Sequence, residues 1–401
     1  MSDRRLTLAL CAALILSMAG FATFSAVVTT IRDEWGLSNT AIGWISGIYY
    51  AGYTALVPIL AALSDRIDPR RILAGSIALA ASASLLFGAA ANGPATALLC
   101  QLAGGIGLAG IYMPGVKALT DHVAGPRQGR YVSFYTSSFT IGTSASFLMA
   151  GLIASRLGWR WAFGAAALAQ AIAILIVWHY VPRASGITTG FPRFLGFLGF
   201  LGFLGFVPVF RNRAAMDYIV GYGGHMWELF AMRAWLVPFL AYSLSRQPAG
   251  SVWSAPAAAA LVTLVGVPAS VGGQEAASRV GSRRHIIRTM AASVMVGAVV
   301  GWTASLPFAI VVLLCCIYSV TVSADSAPLT AAAIAAAPAG SRGATMAVHS
   351  TLGFATAFLG SLAVGALLDA LGGDTPIAWG VAFTVMGISN LVGILRLAKG
   401  S

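Results

Sequence analysis

Twelve stretches of about 18 to 25 predominantly apolar residues follow one another along the chain, separated by short segments that collect the charges and the turn formers. Each is long enough to cross a hydrocarbon core of roughly 30 Å as a helix. The pattern predicts spans near 6–30, 41–64, 72–91, 96–120, 131–154, 160–181, 215–242, 252–274, 287–304, 308–334, 343–368 and 376–396. Together they take up most of the 401 residues and leave no room for a water-soluble domain. The expected fold class is therefore an all-α membrane protein.

Composition agrees. The chain is 58% hydrophobic and 9% charged, whereas soluble domains are about half apolar and about a quarter charged. A formal net charge of +12 would suggest nucleic acid in a soluble protein, so the placement of the basic residues decides its meaning. With the amino terminus in the cytoplasm, the inner segments hold eighteen Lys and Arg residues, from Arg4 and Arg5 to Arg396 and Lys399. The outer ones hold only Arg32, Arg156, Arg160 and Arg246. Lys117 and Arg233 fall inside spans. The positive-inside rule thus predicts a multi-pass inner-membrane protein with both termini cytoplasmic, and the charge is topological, with no nucleic-acid partner. The first span follows Arg4 and Arg5 as a signal peptide's apolar region would, but at about 25 residues and without a small-residue cleavage site it reads as a retained helix. Cys11, Cys100, Cys315 and Cys316 lie in apolar spans, where a buried thiol is the ordinary reading.

An internal duplication is visible at an offset of about 214 residues. Leu98-Leu99-Cys100 recurs as Leu313-Leu314-Cys315, Pro114 as Pro328, Gly151 as Gly365 and Leu157-Gly158 as Leu371-Gly372. Two homologous six-helix bundles follow, 1–182 and 214–401, joined by 183–213. That joining segment carries a Phe-Leu-Gly repeat from Phe194 to Phe206. Its uncharged stretch is short for a bilayer, and repeated glycine weakens a helix by about 1 kcal/mol each. Crossing would also export Arg279, Arg283, Arg284 and Arg288, so the segment is expected to lie along the cytoplasmic interface.

The turn after the second span, Leu63-Ser64-Asp65-Arg66-Ile67-Asp68-Pro69-Arg70-Arg71, resembles the major facilitator superfamily pattern Gly-x-x-x-Asp-Arg-x-Gly-Arg-Arg, with Ala61 in place of the first glycine and Asp68-Pro69 in place of the second. Its counterpart, Ser278-Arg279-Val280-Gly281-Ser282-Arg283-Arg284, keeps the glycine and lacks the aspartate. Gly158-Trp159-Arg160-Trp161-Ala162-Phe163 resembles the family's outer turn. The resemblance implies two pseudo-symmetric bundles, a cavity lined by helices 1, 4, 7 and 10, and a conformational gate. That gate would be made of Asp65, Arg66, Arg70, Arg71, Arg127, Arg130, Arg279, Arg283 and Arg284, with Asp65 pairing Arg127 or Arg130. Topology anchors are the plainer reading of the arginines; Asp65 gains nothing from that rule. Two departures count against drug efflux: Gln101 precedes Gly105 where many proton-coupled members carry an arginine, and the fifth span lacks the Gly-Pro signature of drug antiporters.

Ionisable groups at membrane depth cost roughly 2.5–3.5 kcal/mol each on the gentler insertion scale, so they normally face a cavity and perform a task. They cluster in the seventh span, which holds His225, Glu228 and Arg233; the tenth adds Asp325. At about 100° per residue Asp217, Glu228, Trp235 and Tyr242 share a narrow stripe, His225 lies roughly 60° away, and Arg233 about 140° from Glu228. Glu228 and Arg233 therefore need different partners. Asp217 is expected to be solvated, and Gly223-Gly224 to loosen the helix beside the site. His349 and Asn390 are possible polar lining or plain helix contacts.

No His-Glu-x-x-His motif, phosphate-cradling loop or nucleophile elbow is present, so no enzyme, cofactor or metal site is expected. Short loops disfavour a receptor. The expectation is a monomeric secondary transporter in the bilayer, with a small-molecule solute and protons as partners, the protons passing through Glu228, His225 and Asp325. Arg233 and the scarcity of acids favour an organic anion or zwitterion, and export of an amphipathic metabolite or drug is the alternative.

Overall fold

The computed structural model describes residues 2–64, 67–123, 125, 127–183, 206–248 and 253–399, which are helical with no strand among them. In chain order the long helices are α1 (Asp3–Trp35), α2 (Asn39–Leu63), α3 (Pro69–Ala90), α4 (Pro94–Thr120), α5 (Gln128–Leu157), α6 (Trp159–Tyr180), α7 (Arg213–Ser245), α8 (Ala255–Val280), α9 (Ser282–Thr303), α10 (Phe308–Ala335), α11 (Arg342–Ala370) and α12 (Pro376–Lys399). Among the described residues ten of them, α1, α3 to α6 and α8 to α12, have the length and hydropathy of a membrane span. Leu99, Leu175, Met295 and Leu313 lie exposed on the outside of the bundle, as apolar side chains do where the solvent is lipid.

Local chemistry sets the helix ends. Pro69, Pro94 and Pro376 open α3, α4 and α12, where a missing N–H is harmless. The side chains of Asp68, Asn212, Ser254 and Thr375 cap α3, α7, α8 and α12. Gly36 closes α1 with φ of 62°, a left-handed conformation that glycine takes without strain.

Among the helices that break in mid-course, two have related breaks. In α4 regular helix stops at Ala109 and resumes at Tyr112; in α10 it stops at Ser323 and resumes at Ser326. Pro114 and Pro328 are the cause, since neither has an N–H to give to the carbonyl four residues earlier, Gly110 in one case and Ala324 in the other. The freed Ala324 carbonyl is 3.0 Å from Nε2 of His285 on α9. Asp325 sits in the α10 break itself, so the proline that bends the helix also fixes the position of a carboxylate.

The helices pack so that α2 runs along α4 and α11, α7 along α11 and α12, α3 along α6, and α5 against α8. Close approach on the seam between α2 and α11 depends on small residues: a Cβ on Gly47 would stand 2.8 Å from the Phe358 ring, and one on Gly365 would stand 2.3 Å from the Asn39 carbonyl. Within 183–213, the short helix Val207–Arg211 buries Val209 against Ile219, Ala333 and Val348 of the later helices. The Phe-Leu-Gly repeat, apart from Phe206, lies outside the described residues.

Candidate solute and proton site

α7 carries the charges and runs unbroken from Arg213 to Ser245. Gly223-Gly224 does not loosen it. The pair instead lets neighbours come close: Thr356 Oγ1 of α11 donates to the Gly223 carbonyl at 2.7 Å, Ser389 Oγ of α12 donates to that of Gly224 at 3.0 Å, and a Cβ on Gly224 would stand 2.9 Å from the Ser389 carbonyl.

The stripe of Asp217, Glu228, Trp235 and Tyr242 is the seam of α7 with α12. Asp217 Oδ1 is 3.7 Å from Nη1 of Arg396, Glu228 Oε2 accepts from Asn390 Nδ2 at 2.5 Å, and the rings of Trp235 and Tyr242 lie 6.3 and 6.2 Å from that of Trp379. Asp217, expected to be solvated, is instead buried, with Arg396 of α12 as its charge partner. Glu228 is 0% exposed and also accepts from Ser293 Oγ of α9 at 2.7 Å and Tyr318 OH of α10 at 2.8 Å, both on Oε1. Among the described residues no cation lies within ion-pair distance of it. This carboxyl binds α7, α9, α10 and α12 into one unit and does not face the α2–α11 seam. Ser293 and Tyr318 were not singled out in the sequence, where a lone hydroxyl in an apolar span carries no pattern.

His225 and Asp325, on separate helices, are brought together. Nδ1 and Oδ1 are 2.8 Å apart, both side chains 1% exposed; the contact is at ion-pair distance without an in-line hydrogen bond. On the other side Tyr222 stacks between His225 and His349 of α11, at 5.6 and 3.6 Å between ring centroids. Tyr222 is only partly buried, and neither ring nitrogen of His349 has a hydrogen-bond partner. The pair thus lies beside two polar rings, Tyr222 of α7 itself and His349 of α11.

Arg233 points the opposite way from Glu228, as their separation around the helix requires. Its guanidinium lies 5.2 Å from the Phe230 ring, the residue is 6% exposed, and Nε has no hydrogen-bond partner. Among the described residues no carboxylate lies within ion-pair distance. Phe230 in turn is 4.8 Å from Tyr50 of α2, 5.3 Å from Phe354 of α11 and 6.2 Å from Phe21 of α1. A buried, uncompensated cation is costly unless something pairs with it.

The gate candidates are dispersed. Asp65 and Arg66 lie outside the described residues, so the expected pairing of Asp65 with Arg127 or Arg130 does too. Arg70 donates to the Trp178 carbonyl at the end of α6 and covers its ring, and Arg283 donates to the Leu397 carbonyl at the end of α12. Each holds the last turn of a nearby helix, where a cation also suits the helix dipole. Arg130 lies over Phe134 of its own helix and Arg279 pairs with Glu275 one turn away. Arg71, Arg127 and Arg284 are exposed.

A latch not anticipated from the sequence lies at the opposite end of the bundle from the chain termini. Asp369, near the end of α11, accepts from the backbone N–H groups of Asn39 and Thr40 at 2.9 and 2.7 Å and from their side chains at 3.0 and 2.6 Å. It caps the start of α2. Beside it Arg32 reaches Asp374 at 2.9 Å. On the α5–α8 seam Ser144 Oγ donates to the Ala260 carbonyl at 2.7 Å. A usable signal was present in the sequence, an acid at the end of a span where the positive-inside rule says nothing. Asp369→Ala is expected to open this end: labelling of a cysteine placed by Ser46→Cys, buried on α2, by a water-soluble maleimide should rise about fivefold, the equivalent of about 1 kcal/mol for a cap. Asp369→Asn should fall between. Unchanged labelling would leave closure to the glycine packing alone.

Residues 10–361 match the model of the Major Facilitator Superfamily. An Escherichia coli K12 3-(3-hydroxyphenyl)propionate transporter is 30% identical over 45% of this chain and 44% of its own, and a probable L-galactonate transporter of the same strain is 24% identical over 61% and 56%. The chain thus spans between about two fifths and three fifths of the length of these relatives. In fold it is similar to a nucleoside transporter, with TM-score 0.75, 15% identity and 98% and 99% of the two chains covered. A bacterial homologue of the lysosomal transporter Spinster gives 0.72, 16%, 99% and 95%.

Proposed function

Because the chain belongs to the Major Facilitator Superfamily, we propose that this membrane transporter moves a small organic anion or zwitterion by proton-coupled secondary active transport. The observation that carries the anionic reading is Arg233, a buried guanidinium with no carboxylate beside it, placed where α1, α2, α7 and α11 meet. An incoming carboxylate would complete a charge-assisted pair that the protein itself leaves unmade. Two relatives bear the names of carboxylates, hydroxyphenylpropionate and galactonate, in agreement with that reading.

In this proposal α2 and α7 also cross the bilayer, giving twelve spans in two halves, 1–182 and 214–401, with 183–213 as the cytoplasmic connection and both termini inside. The latch of Asp369 and Arg32 then lies on the outer face, and the described arrangement is the one closed to the outside. The halves rock about the α2–α11 and α5–α8 seams. His225 and Asp325 carry the proton, supported by the rings of Tyr222 and of His349 on α11 that stack beside them, while Glu228 holds the later helices together. The gate arginines act within their own halves, Arg70 on α6 and Arg283 on α12. No cofactor or metal is required, and a monomer suffices.

Proteoliposomes of the full-length protein, preloaded with unlabelled solute, test this by counterflow. Labelled organic anions from a metabolite panel are expected to exchange, and an inward-acid pH gradient to drive their accumulation. Exchange restricted to neutral or cationic amphipathic compounds would replace the reading with efflux of that class.

A further inference from the structure

The surroundings of Arg233 restrict the kind of anion. Four helices send aromatic rings to one place: Phe21 from α1, Tyr50 from α2, Phe230 from α7 and Phe354 from α11, with Tyr53 stacked on Phe354 at 3.8 Å. The Phe230 contacts are tilted or edge-on, so ring faces and ring edges are both presented. Two of the helices, α1 and α2, precede the α5–α8 seam and two follow it. The wall is therefore shared across the joint that alternating access must open and remake.

We infer that the solute is an aromatic monocarboxylate, its carboxylate on Arg233 and its ring among Phe21, Tyr50, Phe230 and Phe354. The inference rests on the anion-transport reading above and adds the ring. The single unpaired guanidinium sets the charge, because a second carboxylate would find no second buried cation among the described residues; the nearest charged groups on α7 and α10, Glu228, His225 and Asp325, are engaged elsewhere. The guanidinium already lies over one ring face, and a flat carboxylate accepts from its free edge in the same plane. A solute ring would then meet the tilted rings edge to face, the preferred geometry of aromatic pairs. A flexible aliphatic chain gains the same burial but none of that geometry.

The test measures binding to the detergent-purified full-length protein by calorimetry, with 3-phenylpropionate, hexanoate and 3-phenylpropionamide as probes. Phenylpropionate is expected to bind at least tenfold tighter than hexanoate, and the neutral amide not measurably. Phe230→Leu and Tyr50→Leu, checked for a monodisperse elution profile, should each remove most of the preference for phenylpropionate over hexanoate. Equal affinity for phenylpropionate and hexanoate would overturn the aromatic inference and leave the anion reading standing. Tight binding of the amide would overturn the anion reading itself. Preference unaltered in both leucine variants would place the ring elsewhere.

Discussion

Arg233→Ala is expected to abolish solute binding and counterflow together, by two orders of magnitude or more, while the protein inserts and purifies at wild-type yield. A charge-assisted hydrogen bond is worth roughly 1.5–3 kcal/mol, and a bidentate one in a site closed to water stands at the upper end or above it. The same residue is a burden to the empty protein, since no carboxylate among the described residues pairs with its buried charge and Nε has no hydrogen-bond partner. Removing it should therefore raise, not lower, the midpoint of thermal unfolding without solute. That combination separates a binding arginine from a structural one, whose loss would lower stability and transport in parallel. Arg233→Lys should recover little, because a point charge does not reproduce the planar fork over Phe230. Counterflow by Arg233→Ala within a few fold of wild type would reduce the residue to a packing element.

How much of this was legible in the sequence depended on the range of the interaction concerned. Helix extents followed from apolar runs, and the α7 stripe from the helical repeat, because both are local properties of one segment. The angular argument also placed Glu228 and Arg233 on different neighbours. What one helix alone does not reveal is which neighbour its stripe meets. Asp217, Glu228, Trp235 and Tyr242 read as one stripe, with Glu228 expected at a cavity, and they turned out to meet α12, where Asn390 donates to Glu228 and Arg396 lies beside Asp217. Asp369 could be marked as an acid at the end of a span, but what it caps could not, for the same reason: its partners, Asn39 and Thr40, lie some 330 residues away along the chain. Pro328 was visible as part of a repeat, but that it sets Asp325 in a helix break opposite His225 depended on the fold.

Asp325→Asn and Glu228→Gln are expected to fail in opposite ways, and the difference assigns the proton. Asp325 pairs with His225, with Tyr222 and His349 beyond it; Glu228 accepts from three neutral groups, Ser293, Tyr318 and Asn390, and feels Asp325 through space without touching it. A proton taken up at the pair changes its charge and so the attraction between α7 and α10, which couples protonation to helix position. A proton at Glu228 would fall among neutral donors of α9, α10 and α12, with no hydrogen bond to α11. Counterflow needs no net proton movement, whereas accumulation driven by a pH gradient does. Asp325→Asn should then keep counterflow within a few fold of wild type and lose at least nine tenths of gradient-driven accumulation. Glu228→Gln should keep the ratio of the two activities and instead unfold at lower temperature, because its amide presents a donor where Oε1 or Oε2 received one. About 1–3 kcal/mol is the usual penalty for one such buried mismatch. Loss of accumulation in Glu228→Gln with exchange intact, and its persistence in Asp325→Asn, would transfer the proton to Glu228 and make the His225–Asp325 contact a structural pair.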